Sequence, residues 1–340
     1  MADAFRKIDG WLTPQMLAAF VIFGTMPYWI GPIGLYQYLG IEVLIWCIFA
    51  LGFNLLLGYT GLPSFGHGAF FGIGAYALGL TQFNLTENLW VGLAAATAIG
   101  ALFGGAVACF LSHRRGIYFA LMTIAFGQLF FFIASKWTSV TRGEDGLLNI
   151  KRLPVDLGVV SFSTTSNAAF YYFVFACFVV VTIFLWRLIH SPFGKVLQAI
   201  RQNETRTAFL GYNVFLYKWA SFTLSCAISG LAGGLFAMAQ SGAFVQALSL
   251  QWSGVVVLMT LLGGGFVSFW GPVVGTVVFF VARDLLGAYT ETWLLWYGLM
   301  FMAFVMFKPE GIVGIWQDLV HRLQRRERRL PARSLAELWR

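Results

Sequence analysis

The sequence predicts an all-α fold, a polytopic transmembrane helical bundle of about 8–10 spans with broken or re-entrant glycine-rich segments. Three observations lead there. Of 340 residues, 59% are hydrophobic and only 11% are charged, against about 25% charged in a soluble domain. A soluble chain of this length would still need a charged surface. Apolar runs long enough to cross a bilayer, about 20 residues each, follow one another along the chain. The net charge of +8 gathers between those runs and in the C-terminal tail.

The runs give ten windows: Pro14–Gly34, Tyr36–Leu57, Leu62–Phe83, Leu89–Leu111, Ile117–Trp137, Ala169–Ile189, Trp219–Ser241, Gln251–Phe269, Val273–Ala288 and Trp293–Phe307. The third, eighth and ninth are rich in glycine. Irregular backbone at membrane depth is tolerated only against protein or a wet cavity, so these segments are the expected path lining. Alternating the spans puts Arg6, Lys7, Arg114, Arg115, the cations of 187–218 and the tail on one side. The positive-inside rule makes that side cytoplasmic, with both termini there. No small-x-small site follows Arg6 and Lys7, which predicts an uncleaved first span. The division expected is a transmembrane domain over 1–314 and a basic cytoplasmic tail over 315–340.

An outer segment, 138–167, carries RGEDG (Arg142 to Gly146) and SFSTTSN (Ser161 to Asn167). It reads as a solvated connector or as a surface that receives an extracytoplasmic partner. The tail reads as an interfacial helix near anionic headgroups, broken at Pro331, with docking to a partner as the alternative. Basic residues are not interleaved with aromatics on a soluble face, so nucleic acid is not a partner. Cys47, Cys109, Cys177 and Cys226 lie in apolar runs and read as small buried hydrophobes.

Asn54 to Tyr76, NLLLGYTGLPSFGHGAFFGIGAY, combines a glycine cluster with Asn54, Tyr59, Thr60, Ser64 and His67. At membrane depth these polar groups need partners. A break is expected near Gly58–Pro63, with Pro63 in the first turn of a new helix. Gly68, Gly72 and Ala75 form a small-residue face for close helix approach. The five polar residues line a solute path, or satisfy one another where two helices meet. A lone histidine such as His67 is more often a satisfied interior residue than a ligand. No second His, Cys or carboxylate stands at metal spacing. Shifted by 205 positions, Leu56, Leu57, Gly58 and Gly66 fall on Leu261, Leu262, Gly263 and Gly271, which hints at an internal repeat. Among ionisable residues in or beside spans, Lys136 and Glu291 sit at ends and can snorkel. Glu42 and Arg283 are candidate interface or path residues. Arg283 and Asp284 point about 100° apart on a helix and need not pair.

No phosphate-binding loop, zinc motif or nucleophile elbow is present. The chain reads as a non-enzyme without a cofactor, and active transport would need an ion gradient or another subunit. Between two apolar runs lies Ser191 to Gly211, SPFGKVLQAIRQNETRTAFLG. It predicts a surface helix started at Ser191-Pro192 and ended at Gly211. Phe193, Val196, Leu197, Ile200, Ala208, Phe209 and Leu210 are its apolar anchors.

Glu204, Ala208 and Gly211 form E-x-x-x-A-x-x-G, which resembles the cytoplasmic coupling loop of ABC importer permeases. Ser191 to Ala237, Asn54 to Tyr76, GIYFALMTIAFGQ (Gly116 to Gln128), LLGGGFVSFWGPVVG (Leu261 to Gly275) and KPEGIVG (Lys308 to Gly314) together resemble the branched-chain amino acid permease family, LivM-type. Pro63 and Phe65 stand where leucine is common, and Thr205 and Arg206 replace two alanines of the loop pattern. The resemblance implies a heteromeric importer in a bacterial inner membrane. Its parts would be a LivH-like second permease, two cytoplasmic ABC ATPases and an extracytoplasmic binding protein. Arg201, Asn203, Glu204, Ala208 and Gly211 would take the push of the ATPases, and the solute would be a branched-chain or related amino acid. Urea, amide and aromatic-acid importers look similar. A passive small-solute channel and an ion-coupled transporter are the alternatives outside this class.

Overall fold

The computed structural model describes residues 14–31, 36–156, 161–266, 268–289, 292–307 and 311–315. Arg6, Lys7, Glu291, Lys308 and the tail from 316 onward lie outside the described residues.

Every apolar window contains a helix. They are α1 (Pro14–Trp29), α2 (Gln37–Asn54), α3 (His67–Asn84), α4 (Leu89–Leu111) and α5 (Gly116–Lys136). After a short α6 (Thr138–Thr141) come α7 (Asn167–His190), α8 (Pro192–Gln202), α9 (Glu204–Phe209), α10 (Val214–Ala239), α11 (Leu250–Gly263), α12 (Gly271–Tyr289) and α13 (Trp293–Phe307). Among the described residues six helices are long and apolar enough to cross a membrane. The rest are shorter or more polar; α11, with 14 residues, rises only about 21 Å.

The chain forms two compact units, divided after Val257. In the first, α2 with its extension to Thr60 is central, with 94% of its most apolar window buried; the same figure is 78% for α10 and 17% for α5. Burial that complete needs close helix approach, and glycine provides it. A Cβ on Gly74 of α3 would run into the backbone of Gly230 on α10, and one on Gly230 would run into the Ala96 carbonyl of α4. Thus α10 packs on α3 and α4 through backbone. Leu56, Phe70, Leu111, Phe119 and Phe222 fill a core cluster beside these crossings. Large apolar side chains such as Leu102, Phe110, Ile117 and Leu121 are exposed on α4 and α5, as expected where lipid is the solvent. Cys47 and Cys226 are buried, but Cys109 is exposed, on the outer face of α4 and not inside the packing.

The segment 138–167 is anchored to the first unit. Leu147–Leu148 pairs antiparallel with Gly242–Ala243. Leu147, Ile150 and Leu153 are buried. The Gln82 amide exchanges two hydrogen bonds with the Lys151 backbone, at 2.9 and 3.0 Å. The connector is therefore held in place, while Glu144 and Asp145 remain exposed.

In the second unit, α11 ends at Gly263, Gly264 takes a left-handed φ of 90°, and α12 begins at Gly271. In the first unit, helix ends at Thr60, Gly61 has φ 76°, and α3 begins at His67. Both units thus hold a helix–glycine–helix pattern, but the left-handed Gly61 and Gly264 are 203 positions apart and do not fall on each other under the 205-residue shift. Arg283 does pair with its neighbour, Nε to Asp284 Oδ1 at 3.1 Å, and its guanidinium lies 4.5 Å from the Phe280 ring centre. The long arginine side chain can fold back on the helix across the angle that separates the two Cβ vectors.

Substitution Gly230→Leu is expected to destabilise the chain by about 3 kcal/mol or more, because backbone and not a flexible side chain opposes it. Gly254→Ala, where a Cβ meets nothing within 4 Å, is expected to be neutral or to stabilise by up to about 1 kcal/mol. Thermal unfolding of both variants in detergent tests the contrast.

Candidate solute path and coupling segment

The break falls where the sequence predicts it. α2 passes into a π-helical turn, Leu55–Thr60, and ends on left-handed Gly61. The new helix starts later than Pro63, at His67, with Gly66 as its cap residue. Between them Leu62–Gly66 runs without helical bonding. A π turn and a chain break leave carbonyls without their usual intrahelical partners, and side chains from elsewhere serve them.

Ser225 Oγ donates to the Gly52 carbonyl at 2.7 Å. It also lies 2.7 Å from His67 Nε2, so it must accept there. His67 therefore carries its proton on Nε2, and Nδ1 accepts from Ser64 Oγ at 3.0 Å. Thr60 Oγ1 reaches the Leu55 carbonyl at 3.0 Å and Ser221 Oγ at 2.7 Å. Thr60, Ser64 and His67 are buried, and Phe53, Phe70 and Phe222 surround the imidazole edge-on at 5.3–5.7 Å between ring centres. These three residues belong to a satisfied polar set in two groups, Thr60 with Ser221, and Ser64 and His67 with Ser225. Asn54 does not join it: its amide is buried with neither Oδ1 nor Nδ2 hydrogen-bonded among the described residues. Tyr59 is half-buried near Arg201.

The composition of α10 makes the network possible. Lys218, Ser221, Ser225 and Ser229 lie at i, i+3, i+7 and i+11, one helix face, and all are buried. Ser221, Ser225 and Ser229 are absent from the sequence-based candidates. The signal was present, since serines at 221, 225 and 229 recur every four residues in an otherwise apolar span.

A separate apolar cavity of about 360 Å³ is lined by Ile73, Tyr76, Phe103, Phe130, Trp137 and Leu248, among others. None of the five predicted path residues lines it.

The segment from Ser191 to Gly211 is two helices, not one. Asn203 interrupts it with extended backbone, φ −160° and ψ 102°, and its Oδ1 caps the second helix by accepting from Arg206 N at 2.9 Å. A side-chain acceptor competes with helix continuation in this way. Pro192 occupies the first turn of α8, as predicted, and Gly211 closes the segment with φ 90°. Val196, Leu197 and Ile200 are buried anchors. Ala208, Phe209 and Leu210 are not: they form an exposed apolar tip, Phe209 being 87% exposed and Leu210 70%. Arg201 donates to the Gly58 carbonyl inside the π turn. Partial burial lowers its pKa from the ordinary guanidinium value, and the nearby Tyr59 opposes that shift. Glu204 is bonded to Arg115 and Lys218.

Apolar spans, a broken glycine-rich helix and an amphipathic segment bonded to the break define a membrane transport permease. The family model of the branched-chain amino acid transport system permease component matches residues 36–308, and the chain belongs to that family. Similar proteins include the high-affinity branched-chain amino acid transport system permease proteins LivM of Salmonella typhimurium, 27% identical, and Escherichia coli, 26% identical. Each alignment covers 79% of this chain and 68% of the relative. A nucleoside ABC transporter permease protein, NupC of Lactococcus lactis, is 27% identical over 59% of this chain and 65% of its own length. No solved structure matches the chain.

Ser225→Ala removes the donor to Gly52 and the acceptor of His67. It is expected to cost about 1–3 kcal/mol, whereas Asn54→Leu, which deletes an unpartnered buried amide, is expected to leave thermal stability unchanged or raised. Unfolding midpoints of the two purified variants check the pair.

Proposed function

We propose that this chain is one permease subunit of an ATP-driven importer for branched-chain or related amino acids in a bacterial inner membrane. A LivH-like permease, two cytoplasmic ABC ATPases and an extracytoplasmic binding protein complete the assembly. One observation carries the reading: Arg201 of the amphipathic segment donates to Gly58 inside the broken helix. A displacement of the segment therefore reaches the π turn directly. The exposed Phe209–Leu210 tip supplies the apolar surface that an ATPase groove would cover, with Asn203, Ala208 and Gly211 beside it.

Among the predicted path residues, Asn54 has an unpartnered amide that a passing solute could meet, with Tyr59 along the turn. Thr60, Ser64 and His67 shape the break and hold it. The LivM names of the relatives support an amino acid as solute. The nucleoside permease relative favours a nucleoside as the second solute class.

Reconstituted with its partner subunits in vesicles, the chain is expected to take up leucine or a related amino acid only when ATP and the binding protein are both supplied. Asn54→Leu should lower that uptake about tenfold, the equivalent of about one hydrogen bond of about 1.4 kcal/mol. Uptake by the purified chain without nucleotide, or driven by an ion gradient alone, would sink this reading in favour of a channel or a secondary transporter.

A further inference from the structure

Glu204 is turned inward. Its Oε2 lies 2.7 Å from Arg115 Nε and its Oε1 lies 3.3 Å from Lys218 Nζ. The Lys218 side chain is wholly buried, and its ammonium also donates to the Arg114 carbonyl at 2.8 Å. Three separate stretches meet here: the start of α9, the turn between α4 and α5, and the first turns of α10. Removing the carboxylate would leave the buried ammonium with the Arg114 carbonyl as its partner among the described residues, an arrangement that is strongly unfavourable. Glu204 is therefore committed to the interior, while Phe209 and Leu210, on the same short helix and the residue after it, face outward.

We propose that Glu204 and Lys218 are positioning residues that form an internal latch. They fix α9 to α10 so that displacement of the Phe209 tip moves the serine face of α10, and Glu204 is not a contact of the ATPase. The latch rests on the reading above that an ATPase docks on this segment. Along α10, Ser221 and Ser225 lie about 4.5 and 10.5 Å beyond Lys218, on the same face, and they hold Thr60 and His67. With Arg201 on Gly58, the segment grips the broken helix from two sides. Motion can pass to the break although no path residue touches the partner.

Hydrogen exchange of the 204–211 amides, measured on the full chain in nanodiscs, tests the latch without any partner. Glu204→Gln and Lys218→Met are each expected to speed exchange roughly tenfold, from loss of one charged hydrogen-bonded contact. The double variant should show less than the product of the two effects, because the two residues share one interaction. Phe209→Ser should leave exchange unchanged. With the ATPase added, Phe209→Ser should weaken association roughly tenfold or more. The Glu204→Gln/Lys218→Met variant should bind within about threefold of the parent yet move less solute per ATP. Unchanged exchange in both single variants overturns the latch, and so does an association loss in Glu204→Gln as large as that in Phe209→Ser. If the parent chain binds no ATPase, the docking reading fails, and the exchange data still decide whether α9 is latched.

Discussion

The Gly52 carbonyl accepts from Ser225, the Gly58 carbonyl from Arg201, and the Leu55 carbonyl from Thr60. A helix interrupted inside an apolar chain must have its freed backbone groups satisfied by the protein itself, since lipid offers no donor. That requirement explains several features at once. It accounts for Ser225 on α10, which reaches the Gly52 carbonyl, and for Thr60 at the end of the π turn. It draws an arginine from outside the spans up to the break. His67 bonds Ser64 and Ser225 through its two nitrogens and so ties the start of α3 to α10.

A second constraint is distance. Side-chain hydroxyls are short, so α10 must approach α2 and α3 closely before Ser221 and Ser225 can reach Thr60 and Gly52. Backbone packing at Gly74 and Gly230 allows this approach, and Gly230 in turn sits against Ala96 of α4. The polar network and the glycine crossings are therefore one design. Widening the crossing would break the hydrogen bonds, and removing the hydroxyls would leave the crossing without its polar purpose.

Much of this was legible in the sequence. Apolar windows located every membrane-length helix, because lipid imposes both length and composition. Glycine, proline and polar clustering located the break near Gly58–Pro63. What stayed hidden depended on pairing across the chain. Thr60 and Ser221 are 161 residues apart, and no local pattern joins them. Apolar character marked Phe209 and Leu210 as anchors, but it cannot distinguish a side chain packed inward from one turned outward. The sequence predicts one helix from Ser191 to Gly211, with no interruption at Asn203. Its extended backbone became visible only with the cap it makes to Arg206.

The tip at Phe209 and Leu210 has a bearing on the life of the chain before any assembly. These are large apolar side chains on a segment outside the membrane-length helices, and they are uncovered in the isolated subunit. Uncovered apolar surface of this kind invites self-association. A subunit made in excess of whatever covers it carries an adhesive spot. On the proposed docking of an ATPase there, balanced synthesis of subunit and ATPase would keep those two residues covered.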